Sequence, residues 1–155
     1  MDPFIARNLT FGIEDSLIST TGVLVGIAAA NFEARHIVAT GLVLIVAEAF
    51  SMAYGAFLSE ENFIRSEGKR RAPLRETALY GAVMFASYFA VGLVLLAPYA
   101  LRVPHASAVV VGIALALLAA LVATFERRPA RVVALTGAGA AVLGASIAVG
   151  RWMKV

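Results

Sequence analysis

Five long runs of mostly apolar residues divide the chain, and short polar stretches separate them. Each run approaches the roughly 20 residues that a helix needs to cross a bilayer. The pattern predicts transmembrane helices at about 9–30, 37–58, 77–101, 107–125 and 132–150. The one hydrophilic stretch, 59–76, is predicted to be a loop. Pro98 and Pro104 are expected to end the third helix, because proline disrupts helix continuation.

The distribution of basic residues predicts how the helices are oriented. With the N-terminus inside, the nine Lys and Arg residues on the inner side are Arg7, Arg65, Lys69, Arg70, Arg71, Arg75, Arg127, Arg128 and Arg131. The four on the outer side are Arg35, Arg102, Arg151 and Lys154. Since cytoplasmic loops carry the excess of basic residues, the N-terminus is predicted to be cytoplasmic and the C-terminus outside. We expect one all-α polytopic membrane domain over residues 1–155, in the plasma (inner) membrane.

Composition agrees with a membrane protein and excludes several kinds of site. Charged residues make up only 15% of the chain, whereas soluble domains are about a quarter charged. The absence of cysteine excludes disulfides, thiolate zinc sites and iron–sulfur clusters. Membrane topology explains the net charge of +3, so we expect no nucleic acid partner. Catalytic motifs are missing at transmembrane depth, and we expect neither enzymatic activity nor a resident cofactor.

One face of the first predicted helix combines small residues with a carboxylate. Its members recur at helical spacing and are Asn8, Gly12, Asp15, Ser19, Gly22 and Gly26. Small side chains at this spacing let a second helix come close. The predicted packing face, expected against a second copy in a homodimer, consists of Gly12, Ser19, Gly22 and Gly26. A carboxylate inside a membrane is costly, so Asp15 is predicted to be functional.

The second predicted helix has its own stripe, formed by Gly41, Ile45, Glu48, Met52, Gly55 and Ser59. With a rise of about 1.5 Å per residue, Asp15 lies roughly 10 Å inside the membrane, Met52 at nearly the same depth and Glu48 one turn deeper. Carboxylate and thioether ligands together suit Fe²⁺ or Mn²⁺, and the sequence leaves Co²⁺ and Zn²⁺ open. Buried carboxylates can also exchange a proton for a cation, which favours proton-coupled metal antiport.

Three further acidic residues are candidates for the same path. Glu14 lies one position off the Asp15 stripe and is predicted as an additional metal ligand. Glu60 and Glu61 border the predicted cytoplasmic mouth, where they are expected to gather cations. A solvated loop of mixed charge is the alternative for these two.

Three motifs occur in order along the chain. The first reads Arg7-x-x-x-x-Gly12-x-x-Asp15-Ser16-Leu17, the second Ser51-Met52-Ala53-x-Gly55-x-Phe57-Leu58-Ser59, and the third spans 92–99. Together they resemble the vacuolar iron transporter and nodulin-21-like family, which usually has Asp-Gly-Leu, Ser-Met-x-x-Gly-Glu-Tyr-Leu-Ser and Gly-x-x-x-Pro-x-x-Pro-Tyr. The resemblance implies a homodimer of five-helix protomers that exports Fe²⁺ or Mn²⁺ from the cytosol in exchange for protons. It also implies that Asp15 and Met52 line an ion path between the protomers.

The chain departs from the family pattern at three places. Ser16 replaces the usual glycine. Ala56 stands where many members have glutamate, and Glu48 is predicted to supply the missing carboxylate. The stretch 59–76 is short and basic, whereas iron-transporting members have a long helical extension there that collects metal. The resemblance therefore leaves the preferred metal and its loading step open.

Two other functions stay open on the sequence alone. A small organic-cation or multidrug proton antiporter also uses a membrane-embedded carboxylate in a dimer. Such sites are usually lined by aromatic residues. In the membrane part of the first helix Phe11 is the one aromatic residue before Phe32, which argues modestly against this alternative. A non-transporting membrane scaffold would tolerate Asp15→Ala without a change in metal tolerance.

Overall fold

The structure is a computed structural model that describes residues 2–66, 74–125 and 129–154. Within these ranges the chain forms five α-helices and no strand. They are α1 (Pro3–Ala29), α2 (Ala34–Ser66), α3 (Leu74–Ala100), α4 (Ala106–Phe125) and α5 (Pro129–Trp152). All five are long and apolar enough to cross a membrane. The predicted all-α fold with five membrane-spanning helices is therefore confirmed.

α1 and α2 extend furthest beyond their predicted bounds, because polar residues continue them. α1 begins at Pro3, where the carboxylate of Asp2 accepts a hydrogen bond of 2.8 Å from the backbone N–H of Phe4. A proline in the first turn after such a cap is favourable, since its missing N–H would have no partner there. α2 continues to Ser66, so the first part of the predicted loop is helical. The part of that loop at 67–73, with Glu67, lies outside the described residues.

Residues with left-handed backbone close the two turns that the structure describes. Asn31 has φ 74° between α1 and α2, and Arg102 and His105 have φ 52° and 55° between α3 and α4. α3 runs through Pro98 and ends at Ala100, one residue before the predicted end at 101. The carbonyl of Pro98 accepts a 2.9 Å hydrogen bond from Val103 N, which satisfies a helix-end acceptor.

α1 lies at the centre of the bundle and contacts each of the other four helices. α2 packs chiefly on α3, and α5 packs chiefly on α1. The apolar core between them consists of Leu17, Leu24, Val25, Ile37, Ile45, Leu95, Leu96, Tyr99, Val110 and Leu118. α2 leaves large apolar side chains uncovered on its other face, among them Val43 (70% exposed) and Phe50 (63%). Such a surface fits lipid tails rather than water.

Candidate functional site

Polar side chains from α1, α2 and α3 follow the line along which these three helices meet. They occupy three successive levels, which we call the outer, middle and deep levels. The outer level lies at the predicted cytoplasmic end of the helices and is centred on Glu60, near the start of α1 and the end of α2. The middle level is a cavity lined by Met52 and Met84. The deep level contains Asp15 and Glu48.

The deep level brings two carboxylates from different helices together. Asp15 of α1 and Glu48 of α2 are both half-buried, and their charges are close enough to repel each other. Tyr88 of α3 is fully buried beside them and lies within electrostatic reach of both. Two like charges in a poorly solvated place are unfavourable unless a cation or a proton joins them.

A short hydrogen-bonded chain fixes the backbone next to Asp15. Ser19 Oγ donates to the Asp15 carbonyl at 2.7 Å, and a 2.9 Å hydrogen bond joins Ser19 Oγ to Tyr88 Oη. Because the serine hydroxyl has a single proton and gives it to the carbonyl, Tyr88 must be the donor in the second bond. α3 therefore holds the turn of α1 that carries Asp15.

The middle level is a cavity of about 430 Å³ between the three helices, lined by Met52, Met84, Phe11 and Glu60, among others. Gly12 makes room for this arrangement. A Cβ atom at position 12 would lie 3.0 Å from the carbonyl oxygen and 3.2 Å from Sδ of Met84, and would clash with Ser87 Oγ. The glycine thus allows α3 to approach α1 with the Met84 side chain at the cavity wall.

Glu60 dominates the outer level, although the sequence suggested only a residue at a solvated mouth. Its side chain has no solvent exposure. Its Oε1 atom accepts hydrogen bonds from Arg7 Nη2, in an ion pair, and from Asn8 Nδ2 at 3.2 Å. Its Oε2 atom is buried and has no hydrogen-bond partner among the described residues. This carboxylate is therefore half satisfied.

The other predicted acidic residues lie away from the column that the outer, middle and deep levels form. Glu14 faces a different cavity, of about 720 Å³, between α1, α4 and α5. Glu61 pairs with Arg65 at 2.6 Å, one turn along α2. Met52 lines the cavity together with Asn8 and Phe11, whereas Glu48 is the residue whose charge acts on Asp15.

The small residues of α1 pack against helices of the same chain. Gly22 would place a Cβ atom 2.9 Å from Val142 Cγ1, and Gly26 would place one 3.1 Å from the carbonyl oxygen of Ser146, both on α5. Gly12 and Ser19 contact α3 instead. The dimer stays a prediction, and its interface needs a surface other than the one that α5 covers.

Sequence reasoning overlooked Tyr88. The available signal was its position, because tyrosine in membrane helices prefers the interfaces and a buried hydroxyl needs a partner. The burial of Glu60 was overlooked as well. It lies two helical turns beyond Met52 on the same face of α2, which a longer second helix would have revealed.

One chain provides only part of a metal coordination sphere. Among the residues that the structure describes there is no group of three or more His, Cys, Asp or Glu side chains suited to a metal ion. The deep level offers two carboxylates, and the middle level adds the thioethers of Met52 and Met84.

The sequence model of the VIT family matches residues 6–76. This segment, 71 of the 155 residues, is similar to the VIT family, and the similarity supports the resemblance to vacuolar iron transporters. The matched segment contains α1 from Ala6 onwards and all of α2, the helices that carry Asp15, Glu48 and Met52. Searches of curated proteins and of solved structures gave no significant match. This similarity suggests a membrane metal ion transporter.

Proposed function

We propose that this protein is a VIT-type transporter that exports a divalent transition metal, Fe²⁺ or Mn²⁺, from the cytosol in exchange for protons. The observation that carries the proposal is the placement of two half-buried carboxylates, Asp15 on α1 and Glu48 on α2, near enough for their charges to interact. Their mutual repulsion is relieved when a divalent cation binds or when protons do, and the two states exclude each other. Competition of this kind is the physical basis of metal–proton exchange.

A second copy of the chain would complete the coordination sphere. Divalent transition metals take about four to six ligands, and one deep level supplies two carboxylates. Asp15 and Glu48 remain partly exposed at the surface of the single chain, so a two-fold axis beside them would double the set. We therefore place the ion path at a homodimer interface formed by the exposed sides of α1 and α2.

The test is metal flux in proteoliposomes that contain a metal-sensitive dye and carry a pH gradient. Wild type should move Fe²⁺ or Mn²⁺ faster with the gradient than without it. Asp15→Asn and Glu48→Gln keep the shape of each side chain but remove its charge. Loss of a supporting residue at a metal site costs roughly 10- to 100-fold in affinity or activity. Each of these two substitutions should slow the flux by at least that much.

The matched control is Glu33→Gln. Glu33 is an exposed carboxylate, 68% accessible, that pairs with Arg35 in the turn after α1, and its neutralisation should leave the flux unchanged. Wild type that moves neither metal under any gradient would refute the transport proposal. Flux that survives Asp15→Asn and Glu48→Gln would refute the assignment of the deep level, and transport of an organic cation in place of metal would favour the multidrug alternative.

A further inference from the structure

We propose that Glu60 Oε2, together with the thioethers of Met52 and Met84, forms a second cation site that receives the metal before it reaches Asp15 and Glu48. The inference deepens the proposed transport function and rests on it for the order of the two sites. It concerns a soft or borderline divalent cation such as Fe²⁺, Co²⁺ or Cd²⁺.

The unpaired oxygen of Glu60 is the first argument. An ionised carboxylate offers two acceptor oxygens, and here Arg7 and Asn8 both bind Oε1. Oε2 stays without a partner in a residue with no solvent exposure. Leaving a buried acceptor unsatisfied costs about 1–3 kcal/mol, and more for a charged group. An orphan of this kind is a common sign of a bound ion or water.

The lining of the adjoining cavity is the second, independent argument. Glu60 shares this space of about 430 Å³ with Met52 and Met84. Arg7, Asn8, Ser51 and Ser59 also line this space. Thioether sulfur is a weak hydrogen-bond acceptor but a suitable ligand for softer metals. The two methionines that line the same cavity as Glu60 therefore offer a soft cation ligands from which a water molecule gains little.

The ion pair with Arg7 orients this carboxylate without occupying it. Arg7 is 57% exposed, so water screens much of its positive charge, and it holds only Oε1. Carboxylates at metal sites are commonly held by a hydrogen-bond donor on one oxygen while the other faces the metal. Arg7 and Asn8 are positioning residues in this arrangement.

Direct metal binding to the purified protein in nanodiscs tests the site. The background variant carries Asp15→Asn and Glu48→Gln, which removes the deep carboxylates, and the probes are Cd²⁺ and Mn²⁺, each alone, followed by calorimetry. Cd²⁺ should still bind this variant. Adding Glu60→Gln should weaken Cd²⁺ binding more than about tenfold, and adding Met84→Leu should weaken Cd²⁺ more than Mn²⁺, because only the soft ion gains from sulfur.

Controls separate loss of the site from loss of the fold. Glutamine can keep the hydrogen bond from Asn8 and leaves Arg7 with access to water, and leucine replaces Met84 with similar volume. Met153→Leu changes a methionine that is 57% exposed at the far end of α5 and should have no effect. Every variant should elute as one species of unchanged size.

The outcomes distinguish this inference from the transport proposal. Cd²⁺ affinity that is unchanged by Glu60→Gln, or absent from the background variant, would overturn the second site even if the protein transports metal. Glu60-dependent Cd²⁺ binding in a protein without flux would retain the site and refute the transport proposal. Equal losses of Cd²⁺ and Mn²⁺ on Met84→Leu would remove the thioether from the site.

Discussion

The packing of Gly22 predicts a disulfide within one chain rather than between two chains. The Cβ position of residue 22 lies 3.1 Å from Ser146 Oγ on α5. In a disulfide with an S–S bond of about 2.04 Å, the Cβ atom of one cysteine lies about 3 Å from the sulfur of the other. Ser146 Oγ therefore occupies nearly the place that a cysteine sulfur would take. We expect Gly22→Cys with Ser146→Cys to oxidise almost completely within the monomer.

The assay counts free thiols, and the natural sequence makes it clean because it contains no cysteine. After mild oxidation in membranes, the double variant should have no thiol that reacts with a maleimide–polyethylene glycol reagent. After reduction it should take up two equivalents of the reagent. The matched control pairs Gly22→Cys with Gly144→Cys. Residue 144 lies on the same helix, but a Cβ atom there has nothing within 4 Å. This pair should keep both thiols free.

Gly22→Cys alone decides between the two faces. The sequence, with a small-residue face turned toward a second copy, predicts a disulfide-linked dimer. The structure predicts none, because Val142 and Ser146 cover this position within the chain. A strong dimer band from the single variant, or equal oxidation of the 22/146 and 22/144 pairs, would refute the placement of α5 against α1.

Two further predictions concern the packing of α3. Gly81→Ala would bring a Cβ atom 2.8 Å from the carbonyl oxygen of Ala53, so we expect a loss of about 1–3 kcal/mol in the free energy of unfolding. The control is Gly112→Ala, where a Cβ atom has nothing within 4 Å and the melting temperature in detergent should stay equal or rise. A lower melting temperature for Gly112→Ala than for Gly81→Ala would contradict this prediction. Tyr88→Phe removes the hydrogen-bond donor to Ser19 and should cost about 1 kcal/mol in stability. It should also slow metal flux in proteoliposomes, because the turn that carries Asp15 is then held less firmly. Flux equal to that of wild type would show that the hydroxyl has no such role.

The helices could be predicted from the sequence because a bilayer imposes length and apolarity on each of them. The apolar pattern could not locate the ends of the helices, because residues beyond the membrane surface are polar whether they are helical or not. Asp2 and Pro3 extend α1, and α2 continues to Ser66, through residues that hydropathy assigns to a loop. That extension is what brings Glu60 into the bundle.

The candidate site was only partly predictable for a different reason. A membrane carboxylate is expensive wherever it lies, so Asp15 and Glu48 could be recognised without knowing their neighbours. Partners depend on how the helices are rotated, which a periodic pattern leaves undetermined. Depth matching alone placed Met52 at the level of Asp15. In the structure the charge of Glu48 acts on Asp15, and Met52 lines a cavity with Met84.

The proposed order of the two sites has an electrostatic direction. Glu60 and Glu48 lie twelve positions apart on α2, which is about 18 Å along a helix. Glu60 with Arg7 carries no net charge, whereas Asp15 and Glu48 when ionised carry two negative charges. A divalent cation therefore gains attraction as it moves inward from the thioethers to the deep level, and the low dielectric there increases that gain. Under the proposed transport function, the deep level would hold the cation more tightly than the Glu60 site, and protons that compete for its carboxylates would favour release of the metal.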